Sequence, residues 1–137
     1  NNIGSAYRSK ADFNKALEYY VKSYEMYKII YDNNLNHPNI AGVLNNIGLV
    51  YDNMCNFDKA LEYYEKSCEI NKTIYKNNQY HPSIAITLSN IGLAYDNKGN
   101  YDKALEYYLK TYEIYKIIHT QNLNHPNIAM TLNNIGE

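Results

Sequence analysis

The sequence predicts an all-α protein, a solenoid of antiparallel helix pairs. The first observation is a period of 44 residues that runs through the 137-residue chain without an insertion. The second is the helical spacing of apolar residues within each period, with no alternating run of β-branched residues that would indicate a strand. Because one helix pair cannot bury its own apolar faces, neighbouring pairs must stack.

Three short motifs define the period and the repeat boundaries. Asn-Ile-Gly ends at Gly4, Gly48, Gly92 and Gly136, His-Pro begins at His37, His81 and His125, and Lys-Ala-Leu-Glu-Tyr-Tyr begins at Lys15, Lys59 and Lys103. We therefore expect a single domain over residues 1–137, with a partial unit 1–36, full units 37–80 and 81–124, and a partial unit 125–137. The chain begins and stops inside predicted helices, so we expect a fragment of a longer repeat protein.

Each repeat opens with a short helix. Ile84, Leu88, Ile91 and Tyr95 follow the spacing i, i+4, i+7 and i+11, which places them on one helical face. Proline is favoured in a first helical turn, so this helix is predicted to begin near Pro82.

A longer helix follows, and Asn100 is its predicted N-cap with Asp102 in the first turn. Glutamate and lysine stand four residues apart on its solvent side, at Glu18 and Lys22, Glu62 and Lys66, and Glu106 and Lys110. Its predicted buried stripe is Tyr101, Ala104, Leu105, Tyr108, Thr111, Tyr112, Tyr115 and Ile118. An asparagine-rich stretch such as residues 33–36 is predicted to end it.

These residues resemble the tetratricopeptide repeat, whose signature in the third unit is Leu88, Ile91-Gly92, Tyr95, Ala104 and Tyr108. Leucine replaces the usual tryptophan, the second helix is longer, and the repeat opens with His-Pro, as in the kinesin light chain-like subtype. The resemblance implies a right-handed superhelix whose short helices line a concave groove, and a role as a protein-protein interaction scaffold. Tetratricopeptide domains use asparagines in that groove to hold a peptide backbone.

Composition excludes several classes of partner. Thirteen basic and fourteen acidic residues nearly balance, and Arg8 is the only arginine, so neither a nucleic acid nor an anionic membrane is an expected partner. No apolar run approaches the roughly 20 residues that span a bilayer, and the first residues do not resemble a signal peptide. We expect an intracellular, cytoplasmic protein in which Cys55 and Cys68 are unpaired thiols.

No residue pattern points to catalysis. Phosphate-binding glycine loops, nucleophile elbows and zinc-protease motifs are all missing from the sequence. His37, His81 and His125 lie one repeat apart, roughly 20 Å if helices pack 8–10 Å apart, which is too far for one metal ion. The protein is therefore predicted to be no enzyme, with no catalytic residue, no metal and no cofactor.

The predicted binding site is the face of the short helices opposite their core stripe, which we call the asparagine face. It carries asparagine once in every unit, with leucine and acidic residues beside it. Its members are Asn2, Asn46, Asn90, Asn134, Leu49, Leu93, Asn53, Asn97, Asp52 and Asp96. Because Asp52 and Asp96 would repel an acidic ligand and Arg8 is the one cation placed near them, we expect a neutral or basic peptide.

A second interpretation stays open. Tyr19, Tyr63 and Tyr107 on the long helices would pack laterally against other proteins, which would make the chain a structural component of a large assembly. The predicted solenoid also lacks polar end caps, so self-association through its uncapped ends is expected if no further repeat or partner covers them.

Overall fold

The computed structural model describes residues 2–136, which form helices and no strand. The helices are α1 (Asn2–Ser9), α2 (Phe13–Ile30), α3 (Pro38–Asn53), α4 (Phe57–Ile74), α5 (Pro82–Asn97), α6 (Tyr101–Ile118) and α7 (Pro126–Gly136). They fall into two compact units, residues 2–74 and 75–136. The prediction of an all-α helical repeat is therefore confirmed, and the helix starts predicted at Pro82 and after Asn100 are correct.

In the first unit, each helix packs on the next one along the chain, so α2 lies between α1 and α3 and α3 lies between α2 and α4. The core at the α2–α3 contact is formed by Ala16 and Tyr20 from α2 with Val43, Ile47 and Val50 from α3. In the second unit, α6 packs against both α5 and α7. Helices α2, α3 and α6 thus each use two faces, one for each neighbour within their unit.

Glycine and tyrosine meet where the two helices of a repeat cross. Gly48 of α3 faces Tyr64 of α4, and a Cβ added at Gly48 would stand 2.6 Å from two carbons of the Tyr64 ring. A Cβ added at Gly92 would likewise stand 2.7 Å from the Tyr108 ring. Both tyrosines are buried, so only a residue without a side chain fits at these crossings.

The three His-Pro histidines cap the helices that they precede. The Nδ1 atoms of His37, His81 and His125 each accept a hydrogen bond, 3.2 Å long, from the backbone N–H two residues further on. The His37 and His81 rings stack on Tyr31 and Tyr75 with centroids 3.5 Å apart. The sequence analysis did not predict this capping role of the histidines.

The turn between the helices of a repeat requires left-handed backbone. Ala11, Cys55 and Gly99 occupy equivalent positions in it, with φ values of +58°, +56° and +76°. Glycine adopts this conformation without strain, whereas Ala11 and Cys55 are strained at such φ values.

The buried stripe predicted for the long helix is wrong at two positions. Tyr101 is 69% exposed and Leu105 is 41% exposed, whereas Ile114, which the prediction omitted, is buried. The buried arc of α6 is therefore rotated towards Ile114, and Tyr101 and Leu105 lie beyond its other edge. Hydrophobic spacing identified the helix, but the positions of α5 and α7 decide which part of its apolar arc is covered.

Candidate functional site

In the first unit, the residues of the predicted asparagine face belong to α3, except for Asn2, which belongs to α1. Asn46, Leu49 and Asn53 stand at i, i+3 and i+7, which aligns them on one side of the helix. Asn46 and Leu49 are half-buried, whereas Asn53 and Asn2 are exposed. Asp52 is half-buried on the last turn of α3.

The second unit repeats this arrangement on α5. Asn90 and Asp96 are half-buried, while Leu93 and Asn97 are exposed to solvent. On α7, Asn134 is half-buried. Each unit thus has a half-buried asparagine, Asn46 or Asn90, with a leucine about one helical turn later.

Opposite charges meet near the Tyr64 hydroxyl in the first unit. Burial raises the pKa of Tyr64 well above its usual range, the Asp52 carboxylate raises this pKa further, and the Arg8 guanidinium lowers it. Both charged groups therefore act on the same hydroxyl, one from α3 and the other from α1. Arg8 and Asp52 thus have opposite effects on the pKa of the same hydroxyl.

The tyrosines of the alternative interface are stacked inside their own repeats. Tyr19 stacks on Tyr7 with ring centroids 5.5 Å apart, and the corresponding pairs Tyr63 with Tyr51 and Tyr107 with Tyr95 have separations of 5.6 and 5.7 Å. A lysine ammonium lies about 5 Å from each of these rings, at Lys15, Lys22, Lys59, Lys66, Lys103 and Lys110. The ring faces are thus largely used by intramolecular contacts.

Three of these lysines, Lys22, Lys66 and Lys110, belong to the predicted ion pairs. Lys22, Lys66 and Lys110 each contact the glutamate four residues before them, which confirms the spacing argument. The pairs are solvent-exposed, so each contributes little to stability. Their main effect is to hold an ammonium group over a tyrosine ring.

An open cavity of about 610 Å³ lies in the first unit between α2 and α4. Its walls include Tyr24 from α2 and Tyr63 from α4, and Leu44 of α3 lies beneath them. The side chains of Glu25, Lys66 and Glu69 contribute to its lining. This cavity is distinct from the asparagine face, because none of the residues of that face lines it.

Among residues 2–136, no group of three or more histidine, cysteine, aspartate or glutamate side chains is arranged to hold a metal ion. Cys55 is exposed and Cys68 is buried, and neither forms a disulfide. Burial raises the pKa of the Cys68 thiol. Within the same part of the chain, no helix is long and apolar enough to span a membrane.

Comparison with solved structures shows the same fold in other proteins. BtubC (BKLC) from P. vanneervenii is 21% identical with a TM-score of 0.83, and the match covers 98% of this chain and 51% of BtubC. A P. anserina protein described as a kinesin light chain with nearly identical TPR-like repeats is 19% identical, with a TM-score of 0.76 over 98% of this chain and 61% of that one. This chain thus spans about half the length of BtubC.

The N-terminal domain of stress-induced protein-1 from C. elegans is 18% identical with a TM-score of 0.65, and the match covers 99% of this chain and 91% of that domain. No curated protein gives a significant sequence match. One tetratricopeptide repeat model matches residues 1–73, and a second matches residues 85–116. Because the first model alone matches more than half of the sequence, this chain belongs to the tetratricopeptide repeat family.

Proposed function

We propose that this protein is an intracellular, cytoplasmic scaffold that binds an extended peptide segment of a partner protein on its asparagine face. Tetratricopeptide repeats generally mediate protein-protein interaction. One observation supports peptide binding on this face in particular. A half-buried asparagine occurs at the same position of α3 and α5, as Asn46 and Asn90, and leucine follows each of them three residues later. A face that is only solvated would not require a half-buried asparagine followed by leucine at the same positions of both helices.

The chemistry of the face suits a peptide backbone. The amide of asparagine donates and accepts hydrogen bonds at once, as does each peptide group of an extended segment. Partial burial of Asn46 and Asn90 restricts their side chains, so less conformational entropy is lost when a ligand binds. Leu49 and Leu93 offer apolar contacts beside the polar ones.

The charges of the face favour a neutral or basic ligand. Asp52 and Asp96 each place a carboxylate on the last turn of their helix. An acidic peptide would meet like charge there, and Arg8 provides partial compensation only in the first unit. Acidic C-terminal peptides should therefore bind less well than neutral or basic segments.

A peptide array followed by substitution tests this proposal. The double variant Asn46→Ala with Asn90→Ala should lose about 1–3 kcal/mol of binding for each hydrogen-bond partner removed, with the melting temperature nearly unchanged. Asn14→Ala with Asn122→Ala is the matched control, since both asparagines are exposed and lie outside the face. The proposal would be refuted if the peptides that bind most tightly are acidic. It would also be refuted if the double variant and the control bind the peptide equally well.

A second candidate is lateral packing through the long helices within a large assembly. The cavity between α2 and α4 favours it, because Tyr63 lines that cavity and is not fully enclosed. The stacked rings and their lysines weigh against it, since they leave little ring surface for a partner. If Tyr63→Ala abolishes partner binding while the asparagine variants retain it, lateral packing is the correct function.

A further inference from the structure

The cavity between α2 and α4 is lined by aliphatic side chains that the fold does not require. Leu44 of α3 forms part of its floor and is buried. Val21 of α2 and Leu35 of the following loop also line the cavity, and they are 47% and 42% exposed. Glu65 and Gln79 occupy the corresponding positions one repeat later, so aliphatic residues are not needed there for packing. The cavity therefore leaves aliphatic surface in contact with solvent.

A glutamate and a lysine three residues apart form an ion pair on α2 and on α6. On α2, the Lys28 Nζ atom lies 3.1 Å from a carboxylate oxygen of Glu25 and 5.4 Å from the centroid of the Tyr24 ring. On α6, Lys116 repeats both contacts, with Glu113 at 4.0 Å and with the tyrosine four residues before the lysine at 5.9 Å. The tyrosine ring thus helps to hold each lysine beside its glutamate.

Helix α4 lacks this arrangement. Cys68 stands where the other two long helices have the tyrosine, so Lys72 has no ring four residues before it. Burial raises the pKa of the Cys68 thiol, and the neighbouring Lys72 ammonium opposes this rise. Among residues 2–136, no basic nitrogen lies close enough to Glu69 to form an ion pair with it. Glu69, which occupies the position of Glu25 one repeat later, thus keeps an uncompensated charge.

The uncompensated charge lies beside the cavity, because Glu69 contributes to its lining. Among the described residues that line the cavity, Lys66 is the one cation. Its Nζ atom lies 2.6 Å from a carboxylate oxygen of Glu62 and 5.3 Å from the centroid of the Tyr63 ring. The charge of Lys66 is thus already balanced within α4. The cavity therefore combines aliphatic surface with one unpaired carboxylate.

We propose that the cavity between α2 and α4 binds a segment of a partner protein in which an arginine stands next to a large aliphatic residue. The aliphatic side chain packs against Val21 and Leu35, and the guanidinium pairs with the exposed Glu69 carboxylate. Arginine suits this site because its guanidinium is weakly hydrated and stacks on aromatic rings such as Tyr24 and Tyr63, which also line the cavity. No residue of the asparagine face lines the cavity, so this site is additional to the proposed peptide site.

The probe is the blocked dipeptide N-acetyl-leucyl-arginine amide, titrated into the full 137-residue chain and followed by nuclear magnetic resonance of methyl groups. Saturable shifts are expected at the methyl signals of Val21, Leu35 and Leu44. The analogue with citrulline in place of arginine has nearly the same shape but no charge, so it should bind about threefold more weakly. The double variant Asn46→Ala with Asn90→Ala should bind the dipeptide like the parent, which separates this site from the asparagine face.

Substitutions in the protein make the test specific to the cavity. Glu69→Gln should weaken binding about threefold. Glu65→Gln is its matched control, because it removes the same charge from an exposed position of α4 outside the cavity. Leu35→Gln, which introduces the residue type of Gln79, should weaken binding at least about threefold through loss of apolar contact. Leu123→Gln is the control at the equivalent loop position of the second unit, and both controls should bind like the parent.

The proposal is overturned if the dipeptide causes no saturable shift, if the citrulline analogue binds as tightly, or if Glu69→Gln binds no more weakly than Glu65→Gln. Butylguanidinium tests the source of the cation. Equal binding of this compound would mean that a small organic cation occupies the cavity, and the assignment to a protein segment would be wrong. Shifts at Val21 and Leu35 that grow with protein concentration, without dipeptide, would instead identify a second copy of the chain as the occupant.

Discussion

Substitution of alanine for glycine at two positions of α3 should have opposite effects on stability. Gly42 and Gly48 both lie inside α3, within the first compact unit. A Cβ at Gly42 meets nothing within 4 Å, whereas a Cβ at Gly48 would stand 2.6 Å from two Tyr64 ring carbons. The pair therefore separates the helix propensity of alanine from the steric requirement at the helix crossing.

The expected magnitudes follow from those distances. Alanine in a helix interior is more favourable than glycine by about 0.5–1 kcal/mol, so Gly42→Ala should stabilise the unit by that amount. Gly48→Ala gains the same helix-propensity free energy, but its Cβ overpacks the buried contact with Tyr64, which costs about 1–3 kcal/mol of stability. Tyr64 is 1% exposed, so its ring has no open space into which to move. The free energies of unfolding of the two variants should therefore differ by about 1–3 kcal/mol.

Urea denaturation followed by circular dichroism measures this difference. A double-mutant cycle with Tyr64→Leu adds a second readout, because a smaller side chain at position 64 should cost less stability in the Gly48→Ala background than in the parent. Equal stability of Gly42→Ala and Gly48→Ala, or no coupling between positions 48 and 64, would refute the glycine-tyrosine account of the repeat.

Three further predictions concern turns, thiols and acid. Cys55→Gly should raise the melting temperature slightly, as Gly99 occupies the same left-handed turn, and a lower value would contradict this. A thiol reagent should modify Cys55 quickly and Cys68 only on unfolding, because burial raises the pKa of Cys68 and blocks access; two fast thiols would contradict this.

Acid should weaken the second unit through His119, whose ring stacks on His125 with centroids 3.6 Å apart. Burial first, and the charge of His125 second, lower the pKa of His119 below 6.5 in the folded state. The unfolded chain thus binds this proton more readily, so the stability contribution is complete above pH 6.5 and is lost as the pH falls through the folded pKa. His119→Tyr should reduce this loss, and an unchanged acid profile in thermal melts would contradict the assignment.

The repeat pattern predicted most of the fold because each motif has a local physical cause. Proline at the start of α5 and the Asn100 cap of α6 depend on residues near them in sequence, so the sequence alone located both helix starts. Leu105 shows the limit of this reasoning, since its exposure depends on where other helices pack. The division into repeat units and their assembly into one superhelix stay predictions.

The candidate site was predicted less completely. Helical spacing placed Asn46, Leu49 and Asn53 on one side of a helix, but it did not reveal that Asn46 is half-buried, because burial depends on neighbouring helices. The hydrogen bond accepted by His37 was also missed, although histidine directly before proline at a helix start was a usable signal.

The asparagine face can be tested directly by nuclear magnetic resonance of the side-chain amides. The Asn46 and Asn90 amide signals, assigned from the Asn46→Ala and Asn90→Ala variants, should shift on addition of the best peptide from the array. Signals of Asn14 and Asn122, which lie outside the face, should stay in place. Shifts confined to Asn14, Asn122 and the residues around Tyr63, with Asn46 and Asn90 unaffected, would contradict the proposed peptide-binding function.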